Sequence, residues 1–177
     1  VATTSTFSGV LSGNVGVVKN GAGAQTLAGA NTFVGNVAVN AGTLVAASAT
    51  ALGDAANLVA VNGGTLDLTG AAGLANAITL NSGALVGGQV AIANVTLVTG
   101  SVGTQLTGSG SLSKSANGTL TLSGDNTCEG GVTVAAGTLA ATADTALGSG
   151  AVTVTAGTLD LTGASIANAV STTGGTI

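Results

Sequence analysis

The sequence predicts an all-β fold in which short parallel strands stack as a β-solenoid, and two observations indicate it. The pattern V-x-V-x-x-G-x-L recurs, with its clearest copies at 37–44, 59–66, 132–139 and 152–159. Each copy is typical of a strand, a glycine turn and a second strand. Successive strands also begin roughly 17 to 22 residues apart, the length of one solenoid turn. We therefore expect roughly eight or nine coils.

A longer unit that contains this pattern is present nearly twice. Residues 19–53 align with residues 114–148 without a gap, and 65–70 repeat as 158–163. Because a solenoid has no separate globular cores, we expect one solenoid over 1–177. Its two homologous units would cover about 1–100 and 101–177, with the second truncated. Since the chain stops inside a strand that has just begun, we also expect a processed product or an excerpt of a larger repeat protein.

Alternation along each strand predicts which side chains form the core, because successive residues of a strand point to opposite faces. The intervening Thr, Asp, Ala and Asn should face solvent. The turn glycine should adopt positive φ, which glycine tolerates without a Cβ penalty. The inward set is Val37, Val39, Leu44, Val59, Val61, Leu66, Leu68, Val152, Val154, Leu159 and Leu161.

Composition and charge exclude several classes of function. Hydrophobic residues make up 45% of the chain but aromatic residues only 1%, so the core must consist of Val, Leu, Ile and Ala. No run of 18 or more apolar residues occurs, which argues against a membrane-spanning helix. Lys19 and Lys114 are the only basic residues, too few for nucleic-acid binding. Cys128 has no intrachain partner for a disulfide.

The second copy carries a family resemblance. Residues 114–127, KSANGTLTLSGDNT, followed by 130–139, GGVTVAAGTL, resemble the passenger-associated transport repeat of Gram-negative autotransporters. Residues 19–44 resemble it more loosely, with Gln25 where the repeat usually has an apolar residue. Cys128 lies where an aromatic residue is usual and where the first copy has Phe33. The resemblance implies a right-handed parallel β-helix that is exported across the outer membrane, outside the cell or on its surface.

The acidic residues are the first candidates for a catalytic or metal site. Asp67 and Asp160 occupy one repeat position and could bind a cation or protonate a sugar. Neither has the neighbouring acid that paired-carboxylate catalysis needs, so we favour solvated outward carboxylates. The remaining acids have no counterpart in the other copy and are interpreted as surface residues: Asp54, Asp125, Glu129 and Asp144. The sequence thus predicts no enzyme activity, no catalytic residue, no cofactor and no metal site.

Cysteine and lysine offer two further candidates. Cys128 could be a reactive thiol, but a small buried apolar residue is the favoured interpretation. Lys19 and Lys114 could contact an anionic partner. We favour instead a paired or exposed lysine at a corner of the coil.

Three functions remain open from the sequence. The first is a secreted cell-surface passenger that acts as a stalk or adhesin and contacts a host or neighbouring-cell ligand. The second is a fibre or sheath subunit that associates with itself through exposed end strands. The third is ice binding, since one outward file would hold Thr43, Thr65, Thr138, Thr158 and Thr176. The file two residues further on is mixed and disfavours ice binding: Val45, Asp67, Ala140 and Asp160.

Overall fold

A computed structural model describes residues 3–177 and consists almost wholly of strands and turns. A short 3-10 helix, Ile92–Asn94, is the helical element of the described part. The strands are β1 (Thr4–Phe7), β2 (Val17–Lys19), β3 (Ala24–Leu27), β4 (Val37–Val39), β5 (Thr43–Ala46), β6 (Leu58–Asp67), β7 (Ala77–Val86), β8 (Gln89–Ala91), β9 (Val95–Leu97), β10 (Gly100–Val102), β11 (Gln105–Thr107), β12 (Leu112–Lys114), β13 (Thr119–Leu122), β14 (Val132–Val134), β15 (Thr138–Ala141), β16 (Val152–Val154), β17 (Thr158–Asp160) and β18 (Val170–Thr172).

The chain divides into two compact units. Unit 1 comprises Val1–Val90 with Asn94–Thr96, and unit 2 comprises Ala91–Ala93 with Leu97–Ile177.

Unit 1 contains two parallel ladders. One runs β1, β3, β5, β6 and β7, and the other runs β2, β4, β6 and β7. Strands β6 and β7 are ten residues long and contribute to both ladders. The register between them shifts on either side of Asn62, where the chain turns from one face to the next.

Unit 2 repeats this arrangement with shorter strands. One parallel ladder runs β10, β13, β15 and β17, and the other runs β12, β14, β16 and β18. Valines stack directly on valines, since Val132 pairs with Val152 and Val134 with Val154. A further bridge joins Thr158 to Thr176.

The predicted fold class is confirmed. The protein is an all-β parallel solenoid of about nine turns with almost no helix. The predicted coil spacing is also observed, since Val37 pairs with Val59, Val59 with Ile78, and Val132 with Val152. A single continuous stack over 1–177, with units at about 1–100 and 101–177, stays a prediction.

The core agrees with the predicted inward set, with one correction. Leu44, Leu66 and Leu159 are fully buried, and so are the predicted valines and Leu68. Leu161, however, is only half-buried. Leu161 follows the end of β17, and the next coil pairs with β17 through a single bridge from Thr158 to Thr176, so fewer atoms cover that leucine.

The turn glycines serve two different purposes, whereas the sequence predicted only one, a positive φ. Gly42 and Gly137 both have a φ of 64°, as expected for a corner that requires the left-handed region. Gly64 and Gly157, the glycines of the other two copies of the pattern, do not have a φ in the left-handed region. A Cβ on Gly157 would lie 2.7 Å from Cγ1 of Val134, so this glycine is needed for space. The two kinds alternate in the same order in both units.

Candidate functional surface

The two lysines lie at corners of the coil, as expected, but they are buried there and bound to backbone carbonyls, whereas the sequence favoured a paired or exposed side chain. Lys114 is 0% exposed and Lys19 is 9% exposed. The Nζ of Lys19 donates to the carbonyls of Gly21 and Ala41, the latter at 3.1 Å and one coil further on. The Nζ of Lys114 donates to the carbonyl of Ala116. Each ammonium therefore binds turn carbonyls, because the polypeptide folds around it at the corner.

A glycine makes room for each lysine. A Cβ on Gly42 would lie 2.6 Å from Nζ of Lys19, and one on Gly137 would lie 2.8 Å from Nζ of Lys114. These are the two glycines with positive φ. The lysine and the turn glycine of the next coil thus form one structural unit, present once in each half of the sequence.

Burial lowers the pKa of Lys114, and this gives a testable pH dependence. The unfolded chain holds the proton up to the ordinary value of 10.5, whereas the folded chain loses it at a lower pH. Between those two values the unfolded state binds more protons, so the free energy of unfolding should rise with pH. Below the lowered pKa, the cost of burying the charge is present in full.

We expect Lys114→Met to remove this rise. The measurement is urea unfolding at a series of pH values from neutral to 10, on the wild type and the variant. Burial also raises the pKa of Cys128, which acts with the opposite sign above its ordinary value of 9.0. Because the wild type and the variant both contain Cys128, its effect cancels when their free energies of unfolding are subtracted. If that difference in free energy does not change with pH, Lys114 titrates alike in the folded and unfolded states.

Buried asparagines are structural residues that sequence reasoning missed. Asn126 accepts a hydrogen bond from the N–H of Leu106 at 2.7 Å and donates to the carbonyl of Ala146 at 2.5 Å. Asn31 makes the equivalent pair of bonds in unit 1. Both side chains are buried and link the coil before to the coil after. The signal was available, since Asn31 and Asn126 align in the two copies.

A second set of asparagines forms an exposed ladder on unit 1. The Nδ2 of Asn40 donates to Oδ1 of Asn20 at 2.8 Å, and that of Asn62 donates to Asn40 at 2.9 Å. Asn81 continues the ladder by donating to Asn62 at 2.8 Å. All four side chains are exposed. The ladder stabilises successive corners while leaving amide groups at the surface.

The outward files differ between the units. Beside the ladder of unit 1, the in-register file is apolar at Val18, Ala38 and Ala60 and ends on a hydroxyl at Thr79. In unit 2, the corresponding file carries hydroxyls at Ser113, Thr133, Thr153 and Ser171. The same fold therefore presents two chemically distinct faces.

The threonine file considered for ice binding is half-buried at four of its five positions and exposed at the fifth, Thr176. Thr43 pairs with Thr65, and Thr138 pairs with Thr158, which bridges to Thr176. The neighbouring file is mixed, since Val45 pairs with Asp67, and Ala140 with Asp160. A flat array of regularly repeated hydroxyls does not form on this face.

The two equivalent carboxylates, Asp67 and Asp160, end strands β6 and β17 and bind the turns that follow them. Oδ1 of Asp67 accepts from the backbone N–H of Thr69 at 2.9 Å and from its hydroxyl at 2.6 Å. Oδ1 of Asp160 accepts from the N–H of Thr162 at 2.9 Å. Hydrogen bonds from the Thr162 side chain, and then from its backbone, lower the pKa of Asp160. These carboxylates stabilise the local turn, and the sequence Asp-Leu-Thr repeats for that reason.

The remaining acids lie on the surface, as predicted, but three of them make hydrogen bonds. Asp54 accepts from the N–H of Ala56, Asp125 from the hydroxyl of Thr145, and Asp144 from the N–H of Ser165. Glu129 is exposed. Among residues 3–177, no group of three or more His, Cys, Asp or Glu side chains comes together to hold a metal ion.

Cys128 packs as a small buried residue. Its side chain is 4% exposed, and burial raises the pKa of the thiol. A Cβ on Gly148 would lie 2.6 Å from its Sγ, and the aligned Gly53 stands in the same relation to Phe33. One core position thus accepts an aromatic ring in unit 1 and a thiol in unit 2.

Two shallow depressions lie on the surfaces of the units. One of about 400 Å³ lies beside β1 and is lined by Ser5, Lys19 and Gln25 among others. The other, of about 240 Å³, is lined by Asp144 and Asn168 among others. Their polar groups are already bonded to protein, since Asn168 donates to two backbone carbonyls and Asp144 accepts from Ser165. No helix in the described range is long and apolar enough to span a membrane.

Comparison with known proteins assigns a family to the parts of the chain that hold the lysines. Residues 17–46 and 112–141 match the family model named passenger-associated-transport-repeat. The chain carries two passenger-associated transport repeats. The resemblance inferred from the sequence is confirmed. Each repeat begins two residues before its buried lysine and contains the bridging asparagine and the positive-φ glycine.

A curated relative extends this match. The chain is 39% identical over 117 residues to the adhesin BmaC autotransporter of Brucella suis biovar 1 (strain 1330). The alignment covers 66% of this chain and 3% of the relative, so the chain spans a small fraction of that protein. No solved structure matches the chain. Each matched segment thus contains four strands that stack in two parallel pairs beside a buried lysine: β2 on β4 and β3 on β5 in the first, and β12 on β14 and β13 on β15 in the second.

Proposed function

We propose that this chain is a non-catalytic segment of a secreted autotransporter passenger that serves as a stalk or adhesin at the surface of a Gram-negative bacterium. The observation that carries the proposal is the pair of transport repeats, each folded as a stacked coil. The adhesin relative supports the same role. A ligand on a host cell or a neighbouring bacterium is the corresponding partner.

The chemistry of the side chains supports a mechanical and presentational role. Lys19 and Lys114 are bound to turn carbonyls, while Asp67 and Asp160 are bound to turn threonines. Groups that are held in this way stabilise coils. Specific contacts would then come from the exposed faces, where the two units differ.

The fibre and ice-binding alternatives gain no support from the comparisons. Association through end strands stays a prediction from the sequence. The mixed file beside the threonines disfavours an ice-binding face.

The test is display of the chain on a non-adherent Gram-negative strain, through fusion to an unrelated autotransporter translocator. We expect the chain to become accessible to external protease and the cells to adhere more than cells with the empty translocator. Two matched variants would locate the adhesive face: Ala38→Lys with Ala60→Lys on unit 1, and Thr133→Lys with Thr153→Lys on unit 2. One pair should reduce adherence without reducing display.

Two results would contradict the proposal. One is a chain that stays inside the cell or that gives no adherence above the empty translocator. The other is turnover of a glycan panel by the purified chain, lost in Asp67→Asn or Asp160→Asn.

A further inference from the structure

Three asparagines of the chain are followed directly by glycine: Asn20–Gly21, Asn62–Gly63 and Asn117–Gly118. In this context the backbone nitrogen of the glycine can reach the side-chain amide carbon of the asparagine, because glycine has no Cβ to hinder the approach. All three asparagines are exposed. The three asparagines are therefore alike in exposure and in the residue that follows them.

Hydrogen bonding separates the three sites. Asn62 belongs to the exposed ladder and uses both ends of its amide, donating to Asn40 and accepting from Asn81. Asn20 is the last member of that ladder and accepts one hydrogen bond, from Asn40 at 2.8 Å. Each of these amides must break its ladder bonds before it can rotate toward the backbone.

Asn117 lies in a turn outside any ladder, and its side chain makes no hydrogen bond within residues 3–177. Gly118 follows with a φ of 87°, in the region that favours glycine. Its carbonyl accepts from Thr138, whereas its N–H has no partner in the described structure. The attacking nitrogen and the amide carbon are thus both free at this site.

We propose that Asn117 is a site of spontaneous deamidation and that the asparagine ladder protects Asn20 and Asn62 from the same reaction. The Gly118 nitrogen attacks the Asn117 side-chain carbon and loses its proton, and the amide nitrogen leaves as ammonia, which closes a succinimide. Water then adds to either carbonyl of the ring. One opening gives aspartate and the other gives isoaspartate, so the net change exchanges NH2 for OH.

The modification falls on the turn that binds the buried lysine. Ala116, whose carbonyl accepts from Lys114, directly precedes Asn117. A Cβ on Gly137 would lie 2.5 Å from the carbonyl oxygens of both Ala116 and Gly118, so these oxygens enclose one small space beside the lysine. Isoaspartate inserts one more carbon into the backbone between them. The modified chain should therefore unfold at a lower urea concentration than the unmodified chain.

The test is incubation of the intact chain at mildly alkaline pH, with mass-spectrometric mapping of all three sites over time. We expect Asn117 to lose its amide first, then Asn20, then Asn62. Each hydrogen bond that must break before the reaction should lower the deamidation rate by roughly threefold to tenfold. The Asn117→Gln variant should lose the early signal.

Two controls keep the test decisive. Asn40→Ala removes the ladder partner of Asn20 and should raise the rate at Asn20 toward that at Asn117, with circular dichroism confirming that the variant is folded. In concentrated urea the three rates should converge. The proposal is overturned if Asn20 or Asn62 reacts as fast as Asn117 in the folded chain, or if the order persists in urea.

Discussion

Leu66→Ala should lower the free energy of unfolding by about 2 to 5 kcal/mol, since it deletes a fully buried side chain and leaves a cavity. Leu66 is 0% exposed and stacks between Leu44 and Leu85 on the neighbouring coils. The chain contains no methionine and only two phenylalanines, so few adaptable side chains are available to fill the space. Urea unfolding followed by circular dichroism gives the measurement.

Thr65→Ala is the matched control for this prediction. Thr65 is the preceding residue of the same strand and faces outward, half-buried between Thr43 and Ala84. Its removal should change the free energy of unfolding by about 0.5 kcal/mol or less, as for most surface substitutions. Equal losses in the two variants would contradict the facing of β6.

Asn126→Ala should lower the free energy of unfolding by an amount comparable to that of Leu66→Ala, but for a different reason. It would leave the N–H of Leu106 and the carbonyl of Ala146 without their partner. Each buried unsatisfied group costs about 1 to 3 kcal/mol, so the sum is about 2 to 6 kcal/mol. Asn126→Asp keeps an acceptor for Leu106 but has no donor for Ala146, and should still be destabilising.

Asn117→Ala is the control for the buried amide. The Asn117 side chain is exposed and makes no hydrogen bond among the described residues, so we expect a change within about 0.5 kcal/mol. Chemical denaturation of both variants at neutral pH is the measurement. If Asn126→Ala lowers the free energy of unfolding no more than Asn117→Ala does, the hydrogen bonds of Asn126 do not stabilise the fold.

The strands and the core could be predicted because they follow from local periodicity. Alternation fixes which residues share a face, and an in-register parallel ladder repeats that choice in each coil. Val37, Val59 and Ile78 therefore align as the spacing predicted. The prediction that Leu161 is fully buried was wrong, because the burial of a side chain also depends on how much of the next coil covers it. Alternation along a strand does not reveal that coverage.

The lysines could not be placed from the sequence because charge alone favours an exposed side chain. What buries Lys114 is the backbone: turn carbonyls converge on the inside of the corner, and Gly137 leaves room for the ammonium. Such convergence becomes visible only in three dimensions. The alignment of Lys19 with Lys114 and of Asn31 with Asn126 showed that these positions matter, but it did not show how.

Excision of one complete coil is the most direct test of the stacked architecture. Val132 pairs with Val152, so removal of residues 132–151 brings Val152 into the place of Val132 without changing the register. Because each coil of a solenoid contacts only its neighbours, we expect the shortened chain to retain its β-sheet circular dichroism and a cooperative urea transition. Removal of residues 132–141 alone puts the coils after the deletion out of register with those before it, so this chain should lose more β-sheet signal and unfold at a lower urea concentration than the chain without 132–151. Equal loss of β-sheet signal and stability in the two shortened chains would contradict the account of the fold as stacked, in-register coils.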